Sequence, residues 1–341
     1  MVTADLAYYS LVAVYSAMAI YTISFVAFAL DLAKRSGDAQ QAAARAAKAK
    51  AEALATTTVS RSSSGGSTVV LDRPSGGAGG AGGAVPAAGG SAKASSFERV
   101  AIAMMLLGFV VHVSSVVLRG LAAGRVPWAN MFEFSLTGTA IIVGVYLAVQ
   151  LVVNLRFLGA YVMGLNLVLL AIGTVNYYVA VSPLPPALQS AWLVIHVFVA
   201  ILGTAFFAIA AGLSAAQLVQ TKREQSKLAG LRFLDTLPGA ERLEDLAYRI
   251  ALVGFVLWTF TLIAGAIWAE RAWGRYWGWD TKEVWTFIIW VLYAGYIHAR
   301  ATRGWRGARS SWLSIIGFAA VMFNFSVVNV FFKGLHAYSG L

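Results

Sequence analysis

The sequence contains no cysteine, and it is poor in charge: 12% of its 341 residues are Asp, Glu, Lys or Arg. The first absence excludes thiol redox catalysis and thiolate metal sites supplied by this chain, and it leaves the redox compartment open. The second excludes an ordinary soluble domain, in which about 25% of residues are charged. With 59% hydrophobic residues and a mean hydropathy of +0.71, the composition is that of an integral membrane protein. Acids are scarcer than bases, which leaves a formal charge of +11. Multi-span proteins carry such an excess in their cytoplasmic loops, so no nucleic-acid partner is expected. The N-terminus lacks a basic n-region and a small-residue cleavage site. Its apolar run from Leu6 to Leu32 is too long for a signal h-region and reads as a retained helix.

What is abundant is apolar sequence in long runs. Eight segments, at about 6–32, 100–120, 131–153, 157–178, 191–218, 247–269, 284–299 and 311–332, are candidates to cross roughly 30 Å of hydrocarbon. The seventh is short, and its Trp285 and Trp290 extend it into the interface. Only "NLR" separates the third from the fourth, which predicts a tight helical hairpin. The expected fold class is therefore all-α, a polytopic membrane helix bundle of about eight helices with both termini outside. Basic residues set that orientation: with the N-terminus outside, the outer face receives only Arg119, Arg125, Arg271, Arg275, Lys282 and Lys333 of the 26 Lys and Arg. Residues 1–35 form the first span. Residues 36–98 differ in kind. "AQQAAARAAKAKAEALA" reads as a short helix of good helix formers. The Gly/Ser/Ala-rich stretch after it reads as a flexible cytoplasmic linker, passive or regulatory. Residues 99–341 form the main membrane domain. No internal repeat supports an inverted-repeat transporter.

The four histidines are placed informatively. His112 lies within the second span and His298 towards the inner end of the seventh. His196 begins the fifth span, and His336 follows the eighth; both belong to the outer face. An ionisable group inside a bilayer is costly and marks a candidate site. The bland alternative for His112 is a neutral ring bonded to a nearby Ser or carbonyl, and for His336 an exposed tail residue. Taken together, two pairs of imidazoles suit two haem positions, each held from both axial sides. The depths of the inner pair match imperfectly: His112 lies about 20 Å up its helix from Arg99, and His298 about 20 Å down from Trp285.

Between the sixth and seventh spans stands "WAERAWGRYWGWDTKEVW". It gathers Trp268, Trp273, Tyr276, Trp277, Trp279 and Trp285 within eighteen residues. An interfacial belt scatters its aromatics over many helix ends, so this density points to a flat ligand. Asp280 and Glu283 fit a capping box that starts the seventh helix at Thr281. Asp280 is thus open to two roles, helix cap or ligand contact. Arg271, Arg275 and Lys282 suit propionates or lipid phosphates.

"WGRYWGWDTKEVW" resembles the tryptophan-rich WWD motif of the haem-handling protein family. The chain resembles in particular the CcsA/ResC type of cytochrome c biogenesis protein, labelled CcsB in some bacteria. "RGLAAGRVPWANMFEF", "LQSAWLVIHV", "RLEDLAYRIALVGFVLWTFTLIAGAIWA" and "FNFSVVNVFFKGLHAYSG" extend the resemblance over roughly residues 100–341. Thr281 stands where the family pattern has proline, and Asn130 and Glu133 belong to that pattern without an evident physical role. The resemblance implies that His196 and His336 ligate haem iron at the outer face, beside loop 270–285 with Trp273, Trp277, Trp279, Asp280 and Trp285. It likewise implies a membrane pair of His112 and His298.

The implied activity is transport and presentation of haem b, and its covalent attachment to an apocytochrome c bearing Cys-x-x-Cys-His. The chain would be the haem-handling subunit of a cytochrome c synthase in the bacterial cytoplasmic membrane. It would contribute positioning rather than a nucleophile. Its expected partners are a ResB-type membrane protein, the apocytochrome, membrane lipid and a thioredoxin-like thiol reductant. Two rival readings remain: a haem b electron-transfer subunit of a quinone-linked enzyme, and a transporter with an aromatic-lined substrate site.

Overall fold

The computed structural model describes residues 2–62, 95–226, 232–332 and 334–336. Among the described residues every regular element is helical. The main helices are α1 (Val2–Ser62), α2 (Ser96–Ala123), α3 (Met131–Gln150), α4 (Gly159–Asn176), α5 (Ala191–Ser226), α6 (Ala240–Trp273), α7 (Thr281–Arg303) and α8 (Ala308–Phe323). A π-helical turn, Asn324–Val328, carries α8 into a last short piece, α9 (Asn329–Phe331). Seven of these are long and apolar enough to cross a membrane. α7 has the length but carries Lys282, Glu283, Arg300 and Arg303 at its ends. The chain is a multi-pass membrane protein.

The helix ends follow local chemistry. Ser95 caps α2, Asn130 caps α3 and Asp280 caps α7 through their side-chain oxygens. α2, α6 and α7 each stop at a glycine in the left-handed region, Gly124, Gly274 and Gly304. The hairpin between α3 and α4 is looser than "NLR" predicts. α3 ends at Gln150, and a 3₁₀ turn, Arg156–Leu158, leads into α4. α1 does not end near residue 35; the Ala-rich run continues the same helix to Ser62. Of the Gly/Ser-rich stretch expected as a linker, residues 60–62 belong to α1, residues 95–96 to the cap and start of α2, and residues 63–94 lie outside the described residues.

α1 is built into the bundle. Ser10 and Ser115 exchange hydroxyl-to-carbonyl hydrogen bonds of 2.9 and 2.8 Å, and the Ser24 hydroxyl donates to the carbonyl of Ala101. Such bonds join helices where no water competes. Phe28 lies so close to Gly159 that a Cβ there would come within 2.5 Å of its ring. At one end of the bundle Glu98 accepts from both Arg35 and Arg156, tying α1, α2 and the α3–α4 turn. At the same end Glu244 holds Arg300 and the N–H of Gly307, joining α6, α7 and α8.

The opposite end carries the tryptophan loop. Its organising centre is Glu133, which is wholly buried and pairs with Arg119 at 2.9 Å and Arg125 at 2.7 Å. It also accepts from the N–H of Ala129. Arg119 donates on to the carbonyl of Val179. One carboxylate therefore clamps α2, the loop before α3 and the strap after α4. That supplies the physical role of Glu133; Asn130 is the cap of α3 beside it.

Candidate functional site

His196 and His336 line the same cavity, although 140 positions separate them in the chain. α5 carries the first on its opening turns; the second stands just past α9. The cavity measures about 170 Å³, roughly ten times what one water molecule occupies. It runs between α3, α4, α5, α6, α7 and α8, from His196 and His336 down to Ile142, Leu169 and Val321. A smaller adjoining recess shares His196, His336, Lys282, Thr261 and Thr286, and opens towards Tyr276 and Trp277.

Both imidazoles are held in the same way. Nδ1–H of His196 donates to the carbonyl oxygen of Thr261 at 3.0 Å. Nδ1–H of His336 donates to Oδ2 of Asp280 at 3.2 Å. Neither acceptor carries a proton to give, so the tautomer is set and the lone pair lies on Nε2 in both rings. Among the described residues no hydrogen bond engages either Nε2. An oxygen acceptor behind Nδ1 and an open Nε2 is the arrangement of a metal-ligating histidine. Burial holds the His336 imidazole below the usual histidine value, partly offset by Asp280. The hydrogen bond from His336 holds the Asp280 carboxyl below the usual carboxylate range, against its burial.

Two glycines make this geometry possible. A Cβ on Gly265 would meet Cε1 of His196 at 2.8 Å and Nδ1 at 2.9 Å. A Cβ on Gly334 would meet Oδ1 of Asp280 at 2.6 Å. Trp268 supplies the wall between the histidines: its ring stacks on His196 at 5.8 Å and meets His336 edge-on at 5.4 Å. Trp273 meets His336 edge-on at 4.8 Å.

The loop that precedes α7 is built on Asp280 and Glu283. The capping box is present, and α7 begins at Thr281 as expected. Glu283 accepts from the N–H groups of Gly278 and Asp280, at 2.8 and 3.0 Å, and from Arg275. Of the two roles left open for Asp280, the structure shows the helix cap; it also gives a third, since Asp280 orients His336 while accepting from the N–H of Leu335. The π-helical turn matters here as well. Residues five apart on an α-helix face about 140° away from each other. The wider turn at 324–328 brings Asn324 and Asn329 to the same cavity. Among the described residues, Oδ1 of Asn324 and the indole N–H of Trp128, both lining the cavity, have no hydrogen-bond partner.

The expected site residues divide. Trp273 stands at His336, and Trp277 lines the smaller recess. Trp285 instead packs on Phe323, at 4.4 Å, against α8. Trp279 is 75% exposed, meets Trp277 edge-on and lines neither cavity. Among the described non-glycine residues it alone has a positive φ, 61°.

The structure does not bring His112 and His298 together. His112 is fully buried between α1, α2 and α3; its Nε2–H donates to the carbonyl of Leu136 at 2.9 Å, and Nδ1 faces the hydroxyl of Tyr21 at 3.4 Å. His298 is exposed on α7, which packs on α6 and α8. Among residues not singled out from the sequence as ligand contacts, Trp268 and Gly265 frame His196. A one-dimensional reading sees the first as part of an aromatic cluster and the second as one glycine of many.

Residues 100–336 match the family described as Cytochrome C assembly protein. The chain belongs to the cytochrome c assembly protein family. It is 36% identical over 244 residues to the cytochrome c biogenesis protein CcsA of Guillardia theta, covering 65% of this chain and 80% of that protein. It is 33% identical over 266 residues to CcsA of Synechococcus sp. strain CC9902, covering 70% and 84%. Among solved structures it is similar in fold to the cytochrome c haem lyase CcmF, with a TM-score of 0.59 at 14% identity, covering 94% of this chain and 46% of that one. The chain acts in the maturation of c-type cytochromes, and the electron-transfer reading is not favoured.

Proposed function

We propose that this chain presents haem b at the tryptophan loop for covalent attachment to an apocytochrome c, with Nε2 of His196 and Nε2 of His336 as the two axial ligands. The observation that carries the proposal is the matched pair of imidazoles in one cavity, each fixed through Nδ1 and each open at Nε2. A neutral imidazole is the common protein ligand of haem iron. The cavity wall is largely apolar, and Trp268, Trp273 and Trp277 add flat faces near both rings. The His112 and His298 pair is left out, because His112 uses both ring nitrogens elsewhere.

Haem is the substrate, and the chemistry it undergoes needs no nucleophile from this chain. A cysteine S–H of the apocytochrome adds across each vinyl group. The sulfur bonds to the inner vinyl carbon, the proton goes to the outer one, and no net oxidation occurs. The substrate brings both thiols, in keeping with a chain that has no cysteine. The residues here hold the iron, orient the ring and limit access of water. We place the loop on the outer side of the bacterial cytoplasmic membrane, on the basis of the basic residues. A ResB-type membrane protein, a Cys-x-x-Cys-His apocytochrome and a thioredoxin-like reductant complete the reading.

The test is an absorption spectrum of the purified protein from haem-replete cells, beside His196→Gly and His336→Gly. A six-coordinate low-spin haem that weakens in both variants, together with loss of cytochrome c attachment in cells, is the expected result. Unchanged bound haem and unchanged attachment would sink the proposal.

A further inference from the structure

Lys282 lies on the first turn of α7, two residues after Asp280, and it lines both the main cavity and the adjoining recess. Its ammonium donates to Oδ1 of Asn329, a neutral acceptor. Among the described residues no carboxylate comes within 4 Å of it. Other shielded cations here have counter-charges: Arg119 and Arg125 have Glu133, and Arg300 has Glu244. The nearby acids are already committed. Asp280 accepts from His336, Leu335 and the backbone of Lys282, while Glu283 accepts from Gly278, Asp280 and Arg275.

Asp280 acts on this ammonium from beyond ion-pair distance, and a cation set into an apolar cavity without a direct ion-pair partner is costly to the empty protein. An ammonium has three N–H donors, and Asn329 takes one. The remaining donors stand beside His196 and His336, where a ligand held by those rings would pass. We infer that Lys282 binds a carboxylate of the ligand and so fixes how the ligand is turned about the axis between the two histidines. Resting on the haem reading above, that carboxylate is a propionate. The propionates and the vinyls occupy opposite edges of the porphyrin. A propionate pinned at Lys282 therefore sends the vinyl edge to the far side of the iron. Lys282 is in this sense a positioning residue for the attachment reaction.

The experiment uses the purified full chain and two probes, iron protoporphyrin IX and its dimethyl ester, titrated by absorbance. The wild-type protein is expected to bind the free acid at least tenfold more tightly than the diester. In Lys282→Met the two affinities converge, while the six-coordinate spectrum of bound porphyrin persists; Lys282→Arg keeps a preference for the acid. Equal affinity of the wild type for both probes overturns the inference without recourse to any variant. So does a preference that is the same in wild type and Lys282→Met. If Lys282→Met does not fold, Lys282→Gln takes its place in the same comparison. A wild-type protein that binds neither probe, or binds both independently of His196 and His336, refutes the haem reading instead. Histidine-dependent binding with an unmoved acid-to-ester ratio refutes the role of Lys282 alone.

Discussion

Gly265→Ala offers a sharp test of the site, because the structure separates its effect on binding from its effect on stability. The new Cβ would lie 2.8 Å from Cε1 of His196. Carbon atoms pack best at about 3.5–4.0 Å, so the ring must retreat by roughly 0.7–1.2 Å. Retreat carries it away from α6, and the acceptor of its Nδ1–H, the carbonyl of Thr261, lies on α6 one turn earlier. A hydrogen bond of 3.0 Å then lengthens past the useful range. Loss of such a support behind a ligating histidine costs about 10–100-fold in metal affinity, or about 1.4–2.8 kcal/mol at 1.4 kcal/mol per tenfold. Helix stability moves the other way. Alanine inside a helix gains about 0.5–1 kcal/mol over glycine, close to the net worth of one lost hydrogen bond at about 0.5–1.5 kcal/mol. The melting temperature of the apoprotein should therefore stay within a few degrees, while haem affinity falls by one to two decades. Gly295→Ala is the matched control, since a Cβ there meets nothing within 4 Å. Titration of both purified variants with haem, followed by absorbance, decides the matter. Wild-type affinity and an unchanged low-spin spectrum in Gly265→Ala would refute the claim that this wedge positions His196.

Four further outcomes follow from the same contacts. Asp280→Asn keeps a good helix cap but replaces the carboxylate behind His336, so haem affinity should drop about 10–100-fold with little loss of thermal stability, whereas Asp280→Ala should also lose about 0.5–2 kcal/mol of helix stability. Because the pKa of His336 is lowered, its ring stays neutral and able to bind iron above that value; haem should be retained through pH 6.5 on acidification and released only lower, as a pH titration of the Soret band would record. Glu133→Gln leaves the Arg119 and Arg125 charges shielded without a counter-charge and should cost about 3–5 kcal/mol, read as a large drop in melting temperature or in folded yield. Trp279→Gly relieves a left-handed backbone at a ring that packs little, and should leave stability unchanged or raise it by about 1 kcal/mol; a marked fall would show that the ring supports the loop.

Much of the architecture was legible because its causes are local. A run of apolar residues long enough for the bilayer must be helical, since lipid offers no partner to the backbone. The start of α7 was readable to the residue, because Asp280 and Glu283 satisfy the first N–H groups at a fixed spacing. The convergence of His196, His336 and the tryptophan loop on one end followed from counting spans. Depth alone misled for His112 and His298. The two were paired as membrane histidines although their expected depths match imperfectly, and one faces into a three-helix contact while the other faces out of the bundle. Which way a side chain points depends on how its helix is rotated, and rotation is set by neighbours. The role of Glu133 was hidden for a related reason: its two arginine partners come from a helix end and a loop that only the folded chain brings around it.

The sequence by itself determined that this chain is a helical membrane protein, roughly where its spans lie and where α7 is capped, and that four imidazoles and a dense aromatic loop are its chemical resources. Composition, hydrophobic length and capping are properties of contiguous residues, and they act before any helix meets another. The tertiary structure alone decided which imidazoles share a cavity and which ring nitrogen each leaves open. It alone seats a charged lysine beside them with a neutral partner. Those outcomes depend on close approach between distant segments, such as Gly265 under His196 and Gly334 against Asp280, and no spacing along the chain encodes a contact of that kind.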